Sequence, residues 1–148
     1  MDEKEMENTI RSFIESLEKK DVEKALSFFT DDATWFTTQG TFKGKEQIRK
    51  YGQWLAGSLS DIKFNDEGIG IIAKGNKAVY QTNYEANFKG IRIKVANVCT
   101  YEFSQDKIKN HWIMVDKLSI AKQGSKGHPV ASRIVNSVIA RTEAGLHQ

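Results

Sequence analysis

From about Ile62 to Leu118 apolar and polar residues alternate, and the alternation is cut three times by short turn signals: Gly75-Asn76, Lys89-Gly90 and Ser104-Gln105-Asp106-Lys107. Connections this short join antiparallel neighbours, so this stretch predicts four long strands in a meander. Gly68 and Gly70 inside the first strand predict a bulge or sharp bend. Paired residues point to the same side of a sheet, so the turns also predict which side chains share a face. Across 89–90, Tyr80 falls beside Cys99, Thr82 beside Asn97 and Tyr84 beside Val95; across 75–76, Ile71 meets Tyr80 and Ile69 meets Thr82. Across 104–107, Cys99 falls opposite Trp112, Asn97 opposite Met114 and Val95 opposite Asp116. This face is apolar and aromatic, with a few polar atoms near its middle. The opposite face carries Gln81, Asn83, Glu85, Lys94, His111 and Lys117 among Val79, Val98, Ile113 and Val115. That mixture suits solvent at the edges and a subunit contact in the middle.

Helical spacing precedes the meander. Met6, Ile10, Phe13, Ile14 and Leu17 predict a helix over roughly residues 3–19. Asp21 reads as the N-cap of a short helix carrying Val22, Ala25, Leu26 and Phe29. "ATWFTT" has the content of a strand, and "GKEQIRKYGQWLAG" returns to helical spacing through Ile48, Tyr51 and Leu55. A last amphipathic helix, roughly 129–143, rests on Val130, Ile134, Val138 and Ile139. Helices first and an antiparallel meander afterwards predict an α+β fold, and 148 residues suit a single domain with a sizeable core.

Composition narrows the function classes. With 39% hydrophobic and 28% charged residues, the chain reads as an ordinary folded protein. The net charge of +3 is spread among interspersed signs with no run of four Lys/Arg, which argues against nucleic acid as partner. The single cysteine, Cys99, cannot form an internal disulfide or a multi-cysteine metal site. The N-terminus is charged where a signal peptide would be apolar, and no stretch is long enough to span a bilayer; a cytoplasmic protein without membrane contact is expected. "GTFKGK" has too few residues between its glycines for a phosphate loop, and Glu46 stands where Ser or Thr would bind magnesium. No metal or cofactor is expected.

The candidate chemistry centres on Asp116. A charge on the apolar face must be neutral, paired or open to a water-filled pocket. One reading makes Asp116 a pocket carboxylate, its pKa raised by desolvation, that removes a proton next to a carbonyl. The other makes it a structural group bonded to a helix terminus or to Tyr84. Asn97 either orients a substrate oxygen or pairs with Thr82. Trp35, Tyr51, Trp54, Tyr80 and Trp112 are candidate pocket residues, together with Tyr84, Cys99 and Met114, although aromatics in a small domain equally form core. His111 is expected to point outward, to solvent or a dimer interface. Asp31-Asp32 reads as turn chemistry.

The two-helix start running into "ALSFFTDDATWFTTQGTFKGKEQI", and "YEFSQDKIKNHWIMVDKLSIAKQ" near the end, resemble the SnoaL-like branch of the nuclear transport factor 2-like superfamily, which also holds ketosteroid isomerases and polyketide cyclases. The resemblance covers about residues 5–123 and leaves a C-terminal helical extension of about 127–148 outside it. It implies a cone in which a strongly curved, mostly antiparallel sheet wraps the N-terminal helices around an apolar pocket, and pairing of subunits through the outer sheet face. The resemblance places the general acid/base of polyketide cyclases on Asp116, while their helper histidine has no obvious equivalent, Asn97 being the nearest polar group on the inner face. The ketosteroid isomerase groups fall on Phe13, near Thr37 and near Cys99, none of which can do the original work, so steroid isomerisation is not expected. Together these readings predict a homodimeric protein that binds a small apolar metabolite bearing a carbonyl. It acts on that metabolite by cofactor-free cyclase or isomerase chemistry or, alternatively, is a binding or association module without catalysis.

Overall fold

In the computed structural model, which describes residues 1–146, two helices come first, α1 (Glu3–Glu18) and α2 (Val22–Ser27). The strands β1 (Phe29–Thr37) and β2 (Gly40–Lys43) lead into α3 (Gly44–Ser58). The meander follows as β3 (Leu59–Lys74), β4 (Lys77–Phe88), β5 (Ile91–Ser104) and β6 (Lys107–Val115). Two further helices close the described chain, α4 (Lys117–Gly124) and α5 (Pro129–Thr142). The six strands form one sheet in the order β2-β1-β6-β5-β4-β3, antiparallel throughout except where β1 lies parallel to β6. The fold is therefore α+β.

Local chemistry explains the helix starts. Asp2 accepts a hydrogen bond from the Glu5 amide (2.8 Å) while the Glu5 carboxylate accepts one from the Asp2 amide (2.7 Å), closing a capping box on α1. Asp21 caps α2 as expected, accepting from the Lys24 amide. The buried stripe of α1, Met6, Ile10, Phe13 and Ile14, meets the sheet, and each such side chain contributes about 1.5–3 kcal/mol by leaving water. Phe13 is the hub: its ring stands edge-on to Phe29 (5.3 Å), His111 (5.5 Å) and Trp35 (5.7 Å).

The register agrees with the turn argument on β4 and β5, where Tyr80 faces Cys99, Thr82 faces Asn97 and Tyr84 faces Val95. It departs in two places. In β3 the bend at Gly68 and Gly70, both at positive φ, absorbs three residues, so Thr82 faces Asp66 and not Ile69, which is exposed. In β6, Phe103 still pairs with Ile108, but Glu102 pairs with Asn110, leaving Lys109 as an extra residue. A single bulged residue turns every later side chain to the other face. His111, Ile113 and Val115 therefore point toward the helices, while Trp112 and Met114 point away. The bulge has a partner in β1, whose register with β6 shifts between Phe29 and Thr34, and the Lys109 ammonium binds the Asp32 carboxylate. Asp31 pairs with Lys45 (2.8 Å), so the Asp31-Asp32 pair anchors this irregular stretch.

Candidate functional site

The inner sheet face, the helices α1 to α3 and the C-terminal pair α4–α5 enclose a cavity of about 560 Å³. Its walls are overwhelmingly apolar. Leu26 and Phe29 come from the N-terminal part, Ile93 and Ala86 from the middle strands, and Ile113 and Val115 from the strand turned inward by the bulge. Ile120, Ala121, Ala131 and Val135 of α4 and α5 also belong to the wall, so the C-terminal extension is part of the site.

Polar groups enter this wall at a few points. Tyr84 lines the cavity with its ring tilted against Phe64 (5.1 Å), and its hydroxyl is paired with no described residue. Burial, then the neighbouring Tyr51 phenol, push its pKa far above the ordinary tyrosine value, so it stands in the cavity as a neutral donor. Tyr51 is wedged against Phe42 (4.6 Å) and edge-on to Trp35 (5.0 Å); its hydroxyl donates to Gln39 Oε1 (3.2 Å), and burial pushes its pKa up to about 12. Asn97, almost wholly buried, donates from Nδ2 to Thr82 Oγ1 (3.2 Å) and toward Cys99 Sγ (3.3 Å), while its Oδ1 has no partner among the described residues. An unmet buried acceptor of this kind costs about 1–3 kcal/mol. Because Thr82 faces Asn97 and Val95 faces Tyr84, Asn97 and Tyr84 are diagonal neighbours on one sheet face.

Residues 10–111 match the family model of the SnoaL-like domain, more than two thirds of the chain. The chain belongs to the SnoaL-like family. Solved structures agree on the fold. A candidate SnoaL-like polyketide cyclase from Shewanella putrefaciens CN-32 superposes with a TM-score of 0.73 at 15% identity, over 84% of this chain and 98% of that one. An LEH-like epoxide hydrolase from M. tuberculosis gives 0.71 at 14% identity, over 83% and 91%. A protein of ketosteroid isomerase-like fold from Catenulispora acidiphila, solved with trimethylamine, gives 0.71 at 14% identity, over 78% and 90%. No curated protein matches the chain. The match to the family model stops within β6, and α4 and α5 follow it.

Of the expected site residues, the SnoaL-like fold gathers Trp35, Tyr51, Trp54, Tyr84 and Asn97 around the cavity and leaves five elsewhere. Asp116 is the main correction. It lies one residue beyond β6, is exposed, and caps α4 by accepting a hydrogen bond from the Ser119 amide (3.0 Å). This is the helix-terminus alternative, and it leaves the carboxylate outside the cavity. Trp112 and Met114 lie on the outer face because of the Lys109 bulge, Trp112 stacked on Phe36 (4.9 Å). Tyr80 is core, its hydroxyl donating to Asp66 Oδ1 (2.7 Å), and Asp66 also accepts both guanidinium branches of Arg11. Cys99 is buried behind Asn97, and burial pushes its thiol up to about 11. His111, expected outside, is wholly buried between Tyr101 (4.4 Å) and Trp35 (5.0 Å) with neither ring nitrogen bonded to a described residue. Ile113 and Val115 were hidden by the same bulge. The α4 contribution was hidden because Leu118 and Ile120 continue the apolar alternation past the strand end; Asp116 three residues before Ser119 was the available N-cap signal.

Proposed function

We propose that the cavity binds a single apolar small molecule bearing a carbonyl, with the Tyr84 hydroxyl donating to that oxygen. The observation that carries the reading is the unpaired, neutral Tyr84 hydroxyl in a largely apolar wall: apolar area supplies affinity and a few polar groups, this donor among them, fix orientation. Asn97, diagonal to it, offers an acceptor for a hydroxyl or amide on the same molecule after a small rotation of its amide. Neighbours carrying the names polyketide cyclase and epoxide hydrolase are in keeping with apolar oxygenated ligands.

The reading is of binding without catalysis. Proton abstraction needs a base within hydrogen-bond reach of the substrate. The one carboxylate in the cavity wall among the described residues, Asp21, is committed to capping α2, and the one histidine there, His128, stands exposed at the start of α5, away from Tyr84 and Asn97 on the sheet. The test is a fluorescence titration with an aromatic ketone and its parent hydrocarbon, following Trp35 and Trp54, both of which line the cavity. Tyr84→Phe should weaken the ketone on the order of tenfold, equivalent to one hydrogen bond of about 1.4 kcal/mol, and leave the hydrocarbon unchanged. Equal affinity of wild type and variant for the ketone would remove Tyr84 from the reading.

Assembly belongs to the same proposal. The inward turn of β6 places Trp112 and Met114 outside, beside Phe36 and Val79, lining a shallow outer groove. Covered by a second copy, this face makes the protein a homodimer.

A further inference from the structure

The last helix is the least embedded part of the molecule. None of the residues of α5 is buried, and its principal packing partner is α4. Val130, Ile134 and Val138 recur at intervals of four and stand 74%, 61% and 45% exposed. They form a stripe on the solvent side, whereas Ala131 and Val135, on the adjoining side, line the cavity. The helix is thus apolar on two neighbouring sides, and the cavity accounts for only one of them.

Charge singles out the same segment. From Lys117 to Thr142 there are five basic residues, Lys117, Lys122, Lys126, Arg133 and Arg141, and no acidic one. The remaining 17 of the 22 basic residues are outnumbered by all 19 acids, so the whole positive excess of the chain lies in α4, α5 and their connection. At 3.6 residues per turn Arg141 falls on the line of Val130 and Ile134, and Arg133 lies beside it. Their long stems can lie along an apolar phase while the charges reach its polar boundary.

We infer that α4 and α5 form a docking surface for an anionic lipid bilayer, with Val130, Ile134 and Val138 entering the headgroup boundary and the exposed Lys122, Lys126, Arg133 and Arg141 meeting the lipid phosphates and carboxylates, Lys117 being held by the Thr38 carbonyl. The sequence expectation of no membrane contact rests on the lack of a spanning segment, and no helix among the described residues is long and apolar enough to cross a membrane, but a helix lying in the interface needs neither property. It needs one apolar stripe and flanking positive charge, which an exposed stripe facing a protein partner would not require. Docked this way, the wall formed by Ala131 and Val135 brings the cavity to the lipid surface, where apolar molecules partition. The docking itself stands whether or not Tyr84 reads a carbonyl, because the two are measured separately.

The test is co-sedimentation of the full chain with phosphatidylcholine vesicles made with and without phosphatidylserine, at low and high salt. Wild type should pellet with the anionic vesicles, stay in solution with neutral ones, and be released by salt. The pair Ile134→Asn and Val138→Asn should abolish pelleting. The pair Lys126→Gln and Arg133→Gln should weaken it on the order of tenfold. None of the four residues lines the cavity or is buried, so probe binding in the absence of vesicles should be unchanged. Indifference of wild type to lipid charge, or full pelleting of the apolar double variant, overturns the inference. So does failure to pellet together with a fall in sedimenting mass for that variant, which would assign the stripe to a second copy of the chain.

Discussion

His111 is a titratable ring held where neither of its nitrogens meets a described partner. Burial lowers its pKa from about 6.5 to about 3. The folded protein therefore keeps it neutral while the unfolded chain takes up a proton, so stability is complete above about pH 6.5 and falls as the pH drops toward 3. At pH 5 the loss due to this ring relative to pH 7.5 should be about 2 kcal/mol, and in His111→Phe, which keeps a ring against Tyr101 and Trp35, that part of the slope should disappear, leaving the smaller one from the ion-paired carboxylates. Urea melts of both proteins at the two pH values check this; a wild type equally stable at both would refute the burial account. Asp116 makes an equally sharp case at the other end of β6. As an N-cap it should tolerate Asn almost without cost, whereas Ala should cost about 1 kcal/mol at neutral pH, and neither change should alter probe binding in the cavity. A loss of binding in Asp116→Asn would return the carboxylate to the site.

Among the elements, those whose boundaries depend on local chemistry were legible in the sequence. The two-residue turns at Gly75-Asn76 and Lys89-Gly90 leave no freedom in register, and so the pairing of Tyr80, Thr82 and Tyr84 with Cys99, Asn97 and Val95 follows from them directly. The bend at Gly68 and Gly70 was legible in kind but not in size, because nothing local states how many residues it absorbs. The bulge at Lys109 left no local trace at all. It carries neither glycine nor proline, and it is held by Asp32 from a strand more than seventy positions away. Two of the candidate site residues were misassigned for that one reason: a single unpaired residue exchanges Trp112 and Met114 for His111, Ile113 and Val115 on the inner face. The cavity residues on strands before the bulge, Tyr84 and Asn97, kept the face expected of them. Those on α3, Tyr51 and Trp54, were reachable from helical spacing.

For the whole molecule, the proposed dimer rests on the outer sheet face. Met114 and Ile72 are each more than half exposed, and the Trp112–Phe36 stack lies between apolar neighbours. If a second copy covers them, sedimentation at micromolar concentration should give twice the 16.8 kDa chain mass, and Met114→Asp should return the protein to a monomer without unfolding it. A wild type that sediments at 16.8 kDa would remove the dimer from the reading.

The parallel contact of β1 with β6 also sets the order in which the chain can become structured. The hairpins of β3 to β6 close over turns of a few residues, but Phe29 must find Ile108, and Trp35 must find His111, across most of the polypeptide. Closing so long a loop is entropically costly until the contacts it brings are made. The meander can therefore assemble early while the inward face of β6 waits for the N-terminal third to arrive. Until Phe13, Phe29 and Trp35 settle against His111, that face presents apolar surface to water, so crowded refolding is most exposed to self-association in this interval. The strand that supplies part of the finished cavity is also the last to be covered.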